Sequence, residues 1–194
     1  SDFPDKATWR LLRTRIIPAV RGADDQEALV HALKLWITEY PERTSDAMLL
    51  AGYYGRLGRQ DEAEALLGDL TVQKPDDSAI AIMAIQAKLR AGKVDEAAAI
   101  ADGFEQWSEV PERAAMMGML ALNRAGKAER AVKLGKSCKQ THSAAVQAGM
   151  AEAYMALGDP IMAGRVAQRA LAGGEDNAQL RLQLAHSAKA QFQY

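Results

Sequence analysis

Cysteine, histidine and aromatic residues are all scarce in this 194-residue chain, and each scarcity excludes something. A single cysteine, Cys138, allows no internal disulfide, so no disulfide framework holds the fold. A cytoplasmic protein fits that usage, and a cysteine-poor periplasmic one reads the same. The three histidines, His31, His142 and His186, lie far apart in sequence, and there is no C-x-x-C, so no zinc-ligand spacing is present and no metal or cofactor is expected. No glycine-rich phosphate loop or serine elbow occurs. No apolar run approaches the roughly 20 residues that cross a bilayer. Membrane association is expected only through a missing anchor or a partner. Neither sign of charge is in excess: 24 Lys and Arg face 25 Asp and Glu for a net charge of −1, so no global basic field draws the chain to nucleic acid. The chain opens Ser1-Asp2-Phe3-Pro4 without an initiator methionine and reads as a processed product or a piece of something longer.

Alanine, by contrast, supplies 38 residues. It is the best helix former and fills a sheet core poorly, so the composition favours helices packed closely together. The charge is also segregated. Residues 1–22 sum to +3, residues 59–112 to −7 and residues 113–142 to +6.

An internal period organises the chain. Leu57-Gly58 to Ala63, Ala91-Gly92 to Ala97, Ala125-Gly126 to Ala131 and Leu157-Gly158 to Ala163 align, with their glycines 34, 34 and 32 residues apart. A weaker copy runs from Gly22 to Ala28. In each unit, glycine after a run of helix formers takes the left-handed cap and ends a first helix, A. An acidic residue then favours the positive end of a second helix, B, and the alanine five residues after the glycine lets B cross A closely. Such a unit buries its faces only by stacking on copies of itself. The pattern predicts A/B helix pairs near 45–57/60–73, 77–91/94–107, 112–125/128–140 and 144–157/160–172. A lone helix B spans 25–40, stopped by Pro41, and its partner near 5–21 is broken by Pro18. Residues 176–192 form a final helix with Leu180, Leu182 and Leu184 partly on one face.

These residues resemble the tetratricopeptide repeat family, whose pattern runs W-x₂-L-G-x₂-Y, A-x₃-F and P. The second unit matches with Leu50, Ala51, Tyr54, Gly58, Ala63, Leu67 and Pro75, and the fifth with Met150, Ala151, Tyr154, Gly158, Ala163 and Ala167. The third has Lys88 and the fourth Leu122 in the tyrosine slot, and the tryptophan slot holds Ala47, Ala81, Ala115 and Gln147. The resemblance covers residues 24–175. It implies an all-α fold, a right-handed α-solenoid of about five helix pairs forming a single domain over 1–194, with a degenerate N-terminal helix in 1–22 and a capping helix in 176–194.

In that family the A helices line a concave groove where partners bind. The resemblance places three rows there: Met48, Ile82 and Met116; Gly52, Gln86 and Leu120; Arg56, Arg90 and Arg124. Methionine adapts to varied partners and arginine pairs with carboxylates, so the implied ligand is a protein or peptide segment with apolar and acidic residues. The competing reading makes Met48 and Met116 core filler and pairs the arginines with acids such as Asp61 or Asp95. The lysine and asparagine clamp by which some members grip chaperone C-termini has no counterpart, because its slots hold Met48 and Gly52, Ile82 and Gln86, and Met116 and Leu120. Cys138 and His142, four apart, invite a nucleophile–base reading, against which Cys138 fills a small-residue slot. Lys127, Arg130, Lys133, Lys136 and Lys139 recur every three residues, so they wrap around their helix on the convex side, where solvated charge or an acidic surface is their expected use. The expected function is a non-enzymatic protein–protein interaction scaffold. The alternative is the repeat portion of a larger bacterial enzyme or secretion or export assembly, docking or orienting a neighbouring module.

Overall fold

The structure, a computed structural model, describes residues 23–172 and 178–191. The helix expected near 5–21 lies outside the described residues. The described residues form ten α-helices and one 3-10 turn, with no strand. The chain divides into two compact units after Gln73.

The first unit contains α1 (Ala23–Glu39), α2 (Thr44–Arg56) and α3 (Gln60–Gln73), packed in succession. Its core gathers Leu29, Val30, Leu33 and Trp36 from α1, Leu50, Tyr53 and Tyr54 from α2 and Ala63 from α3. Trp36 is the largest side chain there, and its indole N–H donates to Asp46 Oδ2 at 3.1 Å. Arg43 Nε lies 2.8 Å from the same oxygen, so the fully buried carboxylate is compensated.

The second unit contains α4 (Ser78–Arg90), α5 (Val94–Asp102), α6 (Glu112–Arg124), α7 (Ala128–Ser137), α8 (Ala144–Ala156), α9 (Pro160–Ala172) and α10 (Ala178–Gln191). Each helix packs on the next, and the A helices α4, α6 and α8 also pack side by side. The B helices α5, α7 and α9 form a second layer. Helix α10 packs on both α8 and α9, taking the position of a further A helix. It buries Leu180, half-buries Leu184 and leaves Leu182 52% exposed, so Leu182 is not part of the capping face expected of it.

The four repeat glycines all adopt positive φ: 74° at Gly58, Gly92 and Gly158 and 72° at Gly126. Around each, the same two bonds close the A helix. In the third repeat Gly92 N–H donates to Leu89 O at 3.2 Å and Lys93 N–H to Lys88 O at 2.9 Å. This double closure, spanning four and six residues, satisfies carbonyls that the helix end would otherwise orphan. The alanines five residues on, Ala63, Ala97, Ala131 and Ala163, are at most 2% exposed. Gly135 brings helices equally close: a Cβ there would lie 2.5 Å from Met150 Cγ and 3.0 Å from Met119 Sδ.

Two B helices are shorter than their periodicity predicts. Helix α5 stops at Asp102 rather than near 107, where Gly103, a poor helix former, opens a 3-10 turn over Gly103–Gln106. The tighter turn swings Phe104 into the core, 4.3 Å from the Trp107 ring. Helix α7 stops at Ser137 rather than near 140. Cys138 turns extended, with φ −68° and ψ 139°, and forms an isolated parallel bridge with Val110.

Candidate partner-binding surface

Helices α2, α4, α6 and α8 are each 13 residues long and end at the same glycine turn, so equivalent slots can be compared directly. The fifth residue of the first three is Met48, Ile82 and Met116, the ninth is Gly52, Gln86 and Leu120, and the last is Arg56, Arg90 and Arg124. None of the nine is buried. Met48, Gly52, Ile82, Gln86 and Leu120 are half-buried, the three arginines are exposed and Met116 is 40% exposed. Met116 is therefore too exposed to be core filler, whereas Met48 is half-buried; the buried methionine of α6 is Met119. Slots of the second unit stand on adjoining helices, since α4 packs on α6. The three residues of the first unit lie together on α2.

Each arginine is the last residue of its helix, where the negative end of the dipole favours a cation. The expected pairing with Asp61 or Asp95 is not formed. In the first unit Arg56 lies 3.9 Å over the Tyr53 ring, while Arg59 pairs with Glu62 and with Glu27. Among the described residues of the second unit, Arg90 and Arg124 enter no ion pair. Two guanidinium groups thus stand without ion pairs at the ends of the adjoining helices α4 and α6.

The basic row of the fourth repeat has a different fate. Lys127 Nζ lies 3.2 Å and Arg130 Nη1 2.5 Å from Asp102 Oδ2, Lys133 Nζ lies 3.1 Å from Glu105 Oε1 and Lys139 Nζ 2.8 Å from Glu109 Oε1. Cations of one repeat are therefore bound to anions of the repeat before it. Lys136 is the member of that row with no ion pair among the described residues. Burial disfavours the charged form of Asp102, but hydrogen bonds from Arg130 and Lys127 outweigh it and hold its carboxyl below the ordinary carboxylate range. The hydrogen bond to Asp102 raises Arg130 in turn, and that to Glu109 raises Lys139. Pairs 28 residues apart recur, in Asp102–Arg130, Glu105–Lys133 and, in the first unit, Lys34–Glu62 at 3.7 Å. Sequence reasoning missed this register, although the blocks of −7 and +6 were its signal.

Cys138 is 4% exposed, and burial pushes its thiol upward from the ordinary value, the opposite of an activated nucleophile. His142 is exposed in the following loop. Among the described residues no group of three or more His, Cys, Asp and Glu could hold a metal ion, and no helix is long and apolar enough to cross a membrane.

Antiparallel helix pairs of this length, closed by glycine turns at a 34-residue step, define a tetratricopeptide-repeat fold. Solved structures of that class are similar to this chain. A tetratricopeptide repeat protein from Parabacteroides merdae superposes with a TM-score of 0.67 at 13% identity, over 87% of this chain and 68% of its own. The MamA protein does so at 0.60 and 14%, over 76% and 82%. A thermophilic TPR protein from Thermus thermophilus gives 0.54 and 16%, over 85% and 91%. At such identities the likeness is one of fold. No protein-family model matches the sequence, and no curated protein does.

Proposed function

We propose that the chain is a non-catalytic protein-interaction array that holds a segment of a partner protein against the open face of its A helices. In the second unit Ile82, Gln86, Arg90, Met116, Leu120 and Arg124 make the contacts; in the first, Met48, Gly52 and Arg56 present the same slots. The observation that carries this reading is the exposure of Met116, at 40%, together with the guanidinium groups of Arg90 and Arg124, which end α4 and α6 and enter no ion pair among the described residues. Covering apolar surface stabilises a complex by about 25 cal/mol per Å², so each 40 Å² removed from water contributes about 1 kcal/mol. The arginines select acidic residues in the segment and speed encounter, so added salt weakens binding mainly through the association rate.

Competition for this role comes from the lysine-rich B layer, but most of those cations already have partners. The test compares recovery of bound protein by the whole chain and by variants. Met116→Glu and Arg124→Glu should each reduce recovery of the partner strongly, while Lys133→Glu and Lys136→Glu leave it nearly unchanged. If the lysine variants abolish binding and the A-face variants do not, the working surface is the B layer.

A further inference from the structure

The B layer of the second unit holds a cavity of 200 Å³, between α5 and α7 and over Leu122 of α6. The first unit has its counterpart, a depression between α1 and α3 and over Tyr54 of α2. Shifted by two 34-residue steps, seven of the nine described residues lining that depression fall on residues lining the cavity. Lys34, Tyr54, Glu62 and Leu66 correspond in this way to Asp102, Leu122, Arg130 and Leu134. The two are one feature of the repeat, filled differently. In the first unit the Tyr54 ring is 4% exposed, with Lys34 Nζ 5.4 Å and Arg59 Cζ 4.9 Å from its centroid. The 420 Å³ beside it is open surface rather than an enclosed space. The second unit has a smaller residue at three positions: Phe104 for Trp36, Gly118 for Leu50 and Leu122 for Tyr54. Phe104 and Leu134 take the space over Gly118, where a Cβ would lie 3.0 and 2.7 Å from them. Over Leu122 the lost ring leaves the cavity, with Phe104, Trp107, Val110 and Leu134 as its apolar wall.

The geometry points to a binding site for a neutral aromatic ring of phenol size, standing where the first unit has the ring of Tyr54. It is independent of the A-face reading. An apolar cavity of about 150 Å³ takes up benzene, so 200 Å³ admits a ring with a small polar group. Trp107 is half-buried and offers the entering ring an aromatic contact. The charged residues lining the cavity are paired, Asp102 with Arg130 at 2.5 Å and Glu105 with Lys133 at 3.1 Å. A charged ring would lose hydration there without meeting an uncompensated counter-ion. A phenol is neutral below about pH 10, and its hydroxyl can donate to one of these carboxylates.

The tyrosine side-chain analogue p-cresol tests this on the whole chain by proton–nitrogen correlation NMR. The signal read is the Trp107 indole N–H, assigned by its loss in Trp107→Phe. p-Cresol should shift it saturably with a Kd of about 1 mM or tighter, and 4-methylbenzoate should bind at least about tenfold more weakly. Leu122→Tyr returns the repeat's own ring to the slot and should weaken p-cresol at least about tenfold, with circular dichroism unchanged. Should that variant fail to fold, Ser137→Trp supplies the same block, since Ser137 lines the cavity and is exposed. No saturable shift at Trp107, equal binding of the benzoate, or undiminished binding by the folded blocking variant overturns the site. A glycine-serine peptide with a single tyrosine separates two sources of the ring. Shifts with the peptide and p-cresol alike assign it to a partner's side chain, and shifts with p-cresol alone assign it to a free phenol.

Discussion

Replacing Gly92 isolates the conformational demand of the repeat turn. Its φ is +74°, and a Cβ built there meets nothing within 4 Å, so a side chain has room and any loss must come from the backbone. An L-residue in the left-handed region costs about 1–2 kcal/mol, and a β-branched one sits at the upper end. Gly92→Ala should therefore cost about 1 kcal/mol and Gly92→Val about 2 kcal/mol. Asparagine visits this region more readily, so Gly92→Asn should cost less than about 1 kcal/mol. At about 2–4 °C per kcal/mol for a chain of this size, the valine variant should melt roughly 4–8 °C lower. Urea unfolding followed by circular dichroism at 222 nm gives the free energies. Were Gly92→Asn as damaging as Gly92→Val, positive φ would not be the cause, and the shared geometry of the four turns would lose its energetic meaning.

Asp102→Asn should cost about 1 kcal/mol at neutral pH, and less in high salt, because the pairs with Lys127 and Arg130 are partly exposed. The folded-state pKa of Asp102 lies below its unfolded value near 4, so this contribution is present above about pH 4 and disappears as the pH falls through the lower folded value. Acid titrations of stability for parent and variant should converge in that range. Gly135→Ala should destabilise by about 1 kcal/mol, since overpacking against Met150 and Met119 exceeds the gain in helix propensity, and a stabilised variant would show the packing to be looser. Cys138 should react with iodoacetamide at neutral pH at least about tenfold more slowly than in the urea-unfolded chain, because its thiol is buried and its pKa raised.

The A helices were legible to within a residue or two because their C-terminal ends, and in α4 and α8 both ends, are written locally. Asp77 and Ser143 cap α4 and α8, accepting from Ala79 and Ile80 and from Val146, and the turn glycine ends each one. The alanines after the turn were legible because the close crossing of A and B admits little else. The ends of α5 and α7 were not, since they answer to distant partners: Phe104 is drawn into the core and Cys138 is held by Val110. The rows of the candidate surface followed from the period together with the family resemblance, which says which helices carry them. What set them apart from core, exposure and the absence of ion pairs at Arg90 and Arg124, is a property of neighbours that periodicity does not carry.

Each glycine turn is closed by bonds that never leave it, with open space beside the glycine. A copied stretch of chain therefore brings its own corner with it, and the new A helix finds a ready neighbour in the old one. The array can lengthen by duplication without inventing a contact. The corner is inherited unchanged while the slots beside it drift independently, as Arg124 and Glu129 have Ala156 and Ile161 for counterparts one unit on. Binding specificity in such an architecture is written step by step, and one step can be rewritten while the others keep their meaning.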